Sequence, residues 1–184
     1  MTRAPPACGP RRAARKRRAR ARSSSLISHG VPAADVNIGI LATHGWRGDL
    51  QFTLQSPTGT RVQLTNGDTQ SISGDNFNVL LDDAATQLVN TDGANRNHST
   101  SAPPYQNTYQ PRSLLSAFDG ETSAGTWRLE ICDLYPAADN GQFVRADLYL
   151  RSAPANYAVL APPVRLTASL FEVTPGGKHV GPAR

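Results

Sequence analysis

The chain has 184 residues, a length that suits one folded domain with tails, and its net charge is +5. Nine of its Arg and Lys residues, and no acid, lie in residues 1–22, whereas residues 23–184 hold ten basic and fourteen acidic residues. The positive charge therefore belongs to residues 1–22, and the rest of the chain is not a basic domain. No apolar run reaches the roughly 18 residues that a membrane helix needs.

Residues 1–22 form a low-complexity basic arm, which we predict to be disordered because it has almost nothing apolar to bury. Such a run is typical of a nucleic-acid or membrane-surface contact, or else marks a fragment boundary or an alternative start of translation. No clean apolar core with a small-residue cleavage site follows it, so no signal peptide is predicted. Cys8 lies in this arm and Cys132 in a predicted strand, so we expect no disulfide between them.

From Ser25 the pattern is that of short strands separated by turns. Leu26-Ile27 suits a short edge strand, and apolar residues then alternate with polar ones in segments 36–40, 49–55, 61–65, 77–81, 127–132 and 144–150. Turn chemistry follows two of these strands, at Ser56, Pro57 and Gly59 and at Asn66-Gly67. No segment has a sustained helical period, so residues 23–152 are predicted to form an all-β sandwich or jelly roll.

Two longer segments lack this alternation. Residues 84–113 are polar and rich in Asn, Pro and Tyr, so we predict a surface excursion there. Residues 153–184 are predicted to be an Ala/Pro-rich tail or linker, with one further strand possible at 164–173.

Four ordered blocks carry a family resemblance over roughly residues 25–151. They are HGWRGDLQFTLQSPTGTRVQL (44–64), SGDNFNVLLDDAA (73–85), YQP with LLSAFDGE (109–121), and GTWRL followed by Asp133 and Gly141. Together they resemble the P domain, or Homo B domain, of the proprotein convertases, in its bacterial form. One departure is Arg145-Ala146-Asp147, where the family often has a Trp.

The resemblance implies a jelly-roll β-sandwich of the galactose-binding-domain type. It assigns a structural role to the matching motif residues, namely His44, Arg47, Gly48, Asp49, Leu50, Ser56, Pro57, Gly59, Thr60 and Trp127. P domains lie C-terminal to a subtilisin-like catalytic domain and pack on it. They support its folding, stability, and calcium or pH behaviour without catalytic residues of their own.

We therefore expect a non-catalytic module that stabilises or regulates a subtilisin/kexin-like serine endopeptidase, in cis, in a secreted protein. The alternative is a stand-alone carbohydrate- or surface-binding module, in which Tyr105 and Tyr109 of the polar segment would stack on sugars, although packing of that segment is favoured for both. A nucleic-acid partner is not expected for the folded domain, because its own charge is negative.

Two further residue patterns invite a chemical interpretation. His44 and Asp49 suit a catalytic triad, but the chain has neither a Gly-x-Ser-x-Gly elbow nor the Gly-Thr-Ser element of subtilisins. We therefore predict no catalytic residue. Arg47-Gly48-Asp49 spells the integrin tripeptide, yet its place at the entry of a strand favours a structural turn.

Calcium is the one cofactor that the sequence suggests. It takes six to eight oxygen ligands, and acidic turns brought together in space supply them. The predicted ligands are Asp49, Asp75, Asp82, Asp119 and Asp133. No EF-hand or His-Glu-x-x-His spacing occurs, and solvated turn carboxylates are the alternative.

Overall fold

The computed structural model describes residues 19–27, 30–67, 74–89, 98–102, 104–135, 140–152 and 164–166, with the backbone alone for the first and last of these segments. Within them the chain forms nine strands: β1 (Ala19–Ile27), β2 (Ala33–His44), β3 (Leu50–Gln55), β4 (Arg61–Gln63), β5 (Phe77–Leu81), β6 (Asn107–Tyr109), β7 (Gly125–Asp133), β8 (Gly141–Ser152) and β9 (Val164–Leu166). Two 3-10 helices, Arg47–Asp49 and Leu115–Phe118, lie in the connections.

The strands form two sheets. One has the order β1-β7-β3-β4 and the other the order β6-β5-β2-β8-β9. The pairings are antiparallel except that between β5 and β6. This arrangement confirms the predicted all-β sandwich, while the finer jelly-roll assignment stays a prediction.

The core lies between the sheets, where the predicted alternation places the apolar side chains. Phe52 of β3 meets Phe77 of β5 edge to face, with ring centroids 5.1 Å apart, and so joins the two sheets. Trp127 of β7 is fully buried against Phe118, and its indole N–H donates to the Ser123 carbonyl at 2.9 Å. Burying each such side chain stabilises the fold by about 1.5–3 kcal/mol relative to leaving it in water.

β1 differs from the prediction at the N-terminal side. It pairs with β7 from Ala19 opposite Asp133 to Ile27 opposite Gly125, so a strand begins four residues inside the predicted disordered arm. The ladder uses backbone N–H and C=O groups, which every residue but Pro carries, so side-chain composition did not reveal it. Residues 1–18 lie outside the described residues.

The expectation for the cysteines was wrong. Cys132 is disulfide-bonded, and Cys8 is the other cysteine of the chain. Cys8 itself lies outside the described residues. Residues 19–22 of the predicted arm belong to β1, and Arg20 pairs with Cys132 itself, so this part of the arm and β7 are not the separate regions that the sequence suggested.

β8 contains an irregularity that breaks the predicted alternation. Leu41 pairs with Arg145 but Ala42 pairs with Phe143, so Val144 is the extra residue of a β-bulge. Val144 is consequently 47% exposed, although the alternation had placed it on the same face as buried Ala146. Phe143 packs against the core in its place.

β9 pairs with β8 over Val164–Leu166, at the start of the segment that the sequence marked as a further strand. The remainder of the predicted tail lies outside the described residues. In the described part of the chain, no helix has the length and apolar character to cross a membrane.

Candidate functional site

His44 ends β2 with its side chain buried. The Trp46 N–H donates to its Nδ1 at 3.0 Å, so the hydrogen of the neutral ring sits on Nε2. Nε2 faces Asp133 of β7, with Oδ2 at 3.7 Å, an ion-pair distance that is too long for a hydrogen bond. The backbone of His44 is fixed by Asn76, whose Oδ1 accepts the His44 N–H at 2.9 Å.

The surroundings of His44 favour its charged form. Burial alone would lower its pKa, but the carboxylates of Asp133 and Asp49 outweigh burial, so the pKa is raised. A histidine with a raised pKa beside a buried acid gains a proton more readily than one in water.

Gly141, the first residue of β8, packs closely against the edge of the same ring at Cδ2. A Cβ at this position would lie 2.4 Å from His44 Cδ2 and 2.4 Å from the Thr43 carbonyl oxygen, so the site leaves no space for a side chain. His44, Trp46, Asp49, Asp133 and Gly141 therefore gather at one end of the sandwich, and we call them the His44 cluster. They come from blocks that lie far apart in the sequence.

The Arg-Gly-Asp tripeptide lies beside this cluster as a buried 3-10 helix. Arg47 is 1% exposed and Asp49 is 3% exposed. The Arg47 N–H donates to the Gly74 carbonyl at 2.9 Å, and the Asp49 carbonyl accepts the Leu134 N–H at 2.9 Å. Burial of both charged residues favours the structural interpretation, because an adhesive tripeptide has to be exposed.

The side chain of Glu121, which is distant in sequence, holds the Ser56–Thr60 turn through hydrogen bonds. The backbone of the turn closes through the Ser56 N–H to the Thr60 carbonyl at 2.9 Å. The Thr58 hydroxyl donates to Glu121 Oε2 at 2.6 Å, and the Thr60 hydroxyl donates to Oε1. Burial opposes ionisation of Glu121, but the hydroxyl hydrogen bonds of the turn lower its pKa.

Two glycines allow this turn to form and to pack, one within it and one at the start of β7. Gly59 has φ +102°, a conformation that L side chains rarely adopt. Gly125, at φ +118°, lies under Pro57, and a Cβ there would meet the Pro57 ring at 2.6 Å. The turn of the first block thus packs on the start of β7, which belongs to the last block.

The five predicted calcium ligands lie in separate places. Asp82 and Asp119 line a pocket with Asp35 and Asp83, near the start of β2. Burial together with the charges of Asp35 and Asp83 raises the pKa of Asp119. Asp49 and Asp133 are in the His44 cluster, and Asp75 precedes the Asn76 that holds the His44 backbone.

Several of these carboxylates already accept hydrogen bonds from the protein. Asp82 accepts from the Ala84 N–H at 2.8 Å, and Asp133 accepts from the Tyr135 N–H at 2.8 Å. Both oxygens of Asp83 accept from the first N–H groups of the Leu115–Phe118 helix, each at 2.8 Å. Among the described residues, no three His, Cys, Asp or Glu side chains are placed to hold a metal ion. The predicted set does not fit one calcium site, and calcium binding stays a prediction.

The structure reveals a polar network on the outer face of the five-stranded sheet, which the sequence did not indicate. The Tyr105 ring lies on Gly39 of β2, where a Cβ would be 2.4 Å from the ring. The Tyr105 hydroxyl donates to Asp147 Oδ2 at 2.8 Å and accepts from Arg145 Nε at 3.2 Å. Burial, together with Asp147, raises the pKa of this phenol. A glycine inside an apolar strand is the signal for such a close approach.

Asn78 holds the segment that carries Tyr105. It is fully buried in β5, and its Oδ1 accepts from the backbone N–H groups of Tyr105 and Gln106. Its Nδ2 donates to the Ser99 carbonyl. This anchor supports Tyr105 in a backbone conformation with φ +62°, which is rare for a residue other than glycine.

Tyr109, the other predicted sugar-stacking residue, is buried in β6. Its ring stacks on that of His98, with centroids 5.9 Å apart and an interplanar angle of 10°. Tyr105 and Tyr109 both contribute to the protein's own packing, and this gives no support to a carbohydrate-binding role.

Comparison with known proteins gives a family-level match. Residues 33–150 match the model of the proprotein convertase P-domain, while no curated protein matches the chain. The structure of a serine protease of Aeromonas sobria with its chaperone is similar at 23% identity and a TM-score of 0.36, over 70% of this chain and 17% of that one. The serine protease of Aeromonas sobria described alone gives 21% identity and a TM-score of 0.37, over 80% of this chain and 21% of that one. The chain therefore spans about a fifth of the length of those chains.

Proposed function

The chain belongs to the family of proprotein convertase P-domains, and from this we propose that it is a non-catalytic accessory module of a subtilisin/kexin-like serine endopeptidase. The module packs on the catalytic domain of the same polypeptide and stabilises it or regulates its activity. The observation that carries the proposal is the family match, which covers residues 33–150.

The geometry at His44 supports the non-catalytic part of the proposal. A general base must reach the proton of a substrate or nucleophile. In this chain the Trp46 N–H donates to Nδ1, Nε2 faces Asp133, and Gly141 covers the ring edge at Cδ2. The ring is buried and contacts other residues of the same fold, so His44, the strongest catalytic candidate in the sequence, has a structural role.

An extracellular location is part of the proposal. Disulfides form and persist mainly in oxidising compartments, and Cys132 is disulfide-bonded. Proteases of this class are exported, so a secreted module agrees with both the family and the cysteine chemistry.

The test is co-expression of the chain with a subtilisin/kexin-like serine protease catalytic domain, both as a separate polypeptide and as one fused polypeptide. We expect the full chain to raise the midpoint of thermal unfolding of that domain, and to show no turnover of a dibasic peptide when assayed alone. An unchanged midpoint and unchanged activity with and without the chain would contradict the accessory role. Turnover by the chain alone, lost in a Ser-to-Ala variant, would contradict the non-catalytic assignment.

A further inference from the structure

The chain contains two Asn-Gly pairs in its described part, and the backbone conformation of one glycine and the close packing of the other disfavour a side chain at these positions. Gly67 has φ +60°, and a Cβ there would lie 2.4 Å from Leu134 Cδ1. Gly141 packs on His44 at the same distance. Because glycine has no side chain, its backbone nitrogen is the least hindered nucleophile that can follow an asparagine. The packing of the fold thus preserves two dipeptides that are prone to deamidation.

The two asparagines differ in their surroundings. Asn140 is exposed and lies just before β8, and its side chain makes no hydrogen bond in the described part of the structure. Its carbonyl accepts a long hydrogen bond of 3.4 Å from the Gly45 N–H. Asn66 is half-buried and has interaction partners, and Gly67 after it is buried. We infer that Asn140 is a site of spontaneous deamidation in the folded protein, whereas Asn66 is protected.

The reaction needs only water and a base. The Gly141 nitrogen gives up its proton and attacks Cγ of Asn140, forming a carbon–nitrogen bond. The bond from Cγ to Nδ2 breaks, and ammonia leaves from a five-membered succinimide. Water then opens the ring at either carbonyl, and the nitrogen regains a proton. Opening at the side-chain carbonyl gives Asp, and opening at the main-chain carbonyl gives isoaspartate.

Either product alters the His44 cluster, because Gly141 touches the His44 ring and the Asn140 carbonyl binds Gly45. A new carboxylate at position 140 adds negative charge to the residue before Gly141, which packs on a histidine that already faces Asp133 and Asp49. Isoaspartate also inserts a methylene into the main chain at the entry to β8. The modification would therefore change the end of the sandwich where the family blocks meet.

The inference is tested on the full wild-type chain. The folded protein is held in mildly alkaline buffer, and samples are digested and analysed by mass spectrometry that separates Asp from isoaspartate. The same incubation in denaturant gives the intrinsic deamidation rate of each Asn-Gly pair. We expect Asn140 to deamidate about tenfold or more faster than Asn66 in the folded protein, a barrier difference of about 1.4 kcal/mol. In denaturant the two rates should be similar.

Two outcomes would overturn the inference. One is a rate at Asn66 equal to or above that at Asn140 in the folded protein. The other is an Asn140 that reacts in denaturant but not in the folded chain. Asn140→Gln serves as the matched control, because a six-membered imide forms far more slowly, and it should remove the isoaspartate signal at this position. This test is independent of any protease partner.

Discussion

His44 Nε2 lies 3.7 Å from Asp133 Oδ2, and this pair links β2 of the five-stranded sheet to β7 of the four-stranded sheet. The side chains are 1% and 14% exposed, so solvent screens their interaction weakly. Protonation of His44 turns the contact into a buried ion pair at the end of the sandwich, although it removes the hydrogen bond that Nδ1 accepts from the Trp46 N–H. Stability should therefore depend on the charge of His44.

We first predict a pH dependence of stability from this pair. The pKa of His44 is raised in the folded protein, above a value of about 6.5 in the unfolded chain. The stabilisation is thus fully present below about pH 6.5 and is lost as the pH rises through the folded-state pKa of His44. Denaturant unfolding of the wild type across this range should show the free energy of unfolding falling as His44 deprotonates.

Asp133→Asn is the control, because it keeps an acceptor for the Tyr135 N–H but removes the charge. We expect it to cost about 1–3 kcal/mol at low pH, where His44 is charged, and less at high pH. NMR titration of the His44 ring should give a lower pKa in the variant. An unchanged His44 pKa in Asp133→Asn would show that Asp133 does not govern the titration.

A second prediction concerns the clamp between the Ser56–Thr60 turn and Glu121. The pKa of Glu121 is lowered in the folded protein, below about 4.3 in the unfolded chain. Its carboxylate therefore contributes stability above about pH 4.3, and this contribution is lost as the pH falls through the folded-state pKa. Glu121→Gln should cost about 1 kcal/mol near neutral pH and less in acid, as measured by denaturant unfolding.

The partner hydroxyl gives the matching test for Glu121. Thr60→Val removes one donor and keeps the shape of the side chain. In a double-mutant cycle, Glu121→Gln should cost less in the Thr60→Val background than in the wild type. Additive effects would mean that the Thr60 contact contributes no coupling to stability.

Much of the fold could be predicted from sequence because its strands alternate. In β3 and β7 the period of two places Phe52, Leu54 and Trp127 in the core, as expected for strands with one buried face. The alternation could not show the bulge at Val144, because a bulge depends on how two strands pair and not on one strand alone. β1 was largely missed because its pairing depends on the backbone, and its basic composition suggested disorder.

The candidate site was less predictable, because it depends on which turns meet. The calcium hypothesis grouped carboxylates by residue type, yet Asp82 and Asp119 share a pocket while Asp133 faces His44. The contact of Tyr105 with Gly39 joins residues more than sixty positions apart, so Gly39 in its apolar strand signals a close approach but no local pattern specifies the partner. The family resemblance indicated which residues matter to the framework, but their partners became visible only in three dimensions.

A third prediction follows from the burial of the Arg-Gly-Asp tripeptide. Because Arg47 and Asp49 are 1% and 3% exposed, the folded protein should not compete with a linear Arg-Gly-Asp peptide for an integrin. A synthetic peptide covering residues 43–52 is the positive control, since it presents the same tripeptide in an open chain. Competition by the folded protein at concentrations similar to the peptide would contradict the buried structural role.

The fourth prediction tests the contact between Gly39 and Tyr105. Gly39→Ala places a Cβ about where the Tyr105 ring now lies, and overpacking of this kind costs about 1–3 kcal/mol. In a Tyr105→Ala background the ring is gone, so the same substitution should cost little. Tyr105→Phe is the matched control, because it keeps the ring but loses the hydrogen bond to Asp147, and Gly39→Ala should remain costly there. Equal costs of Gly39→Ala in all three backgrounds, measured by denaturant unfolding, would place its effect in the β2 backbone instead of the ring contact.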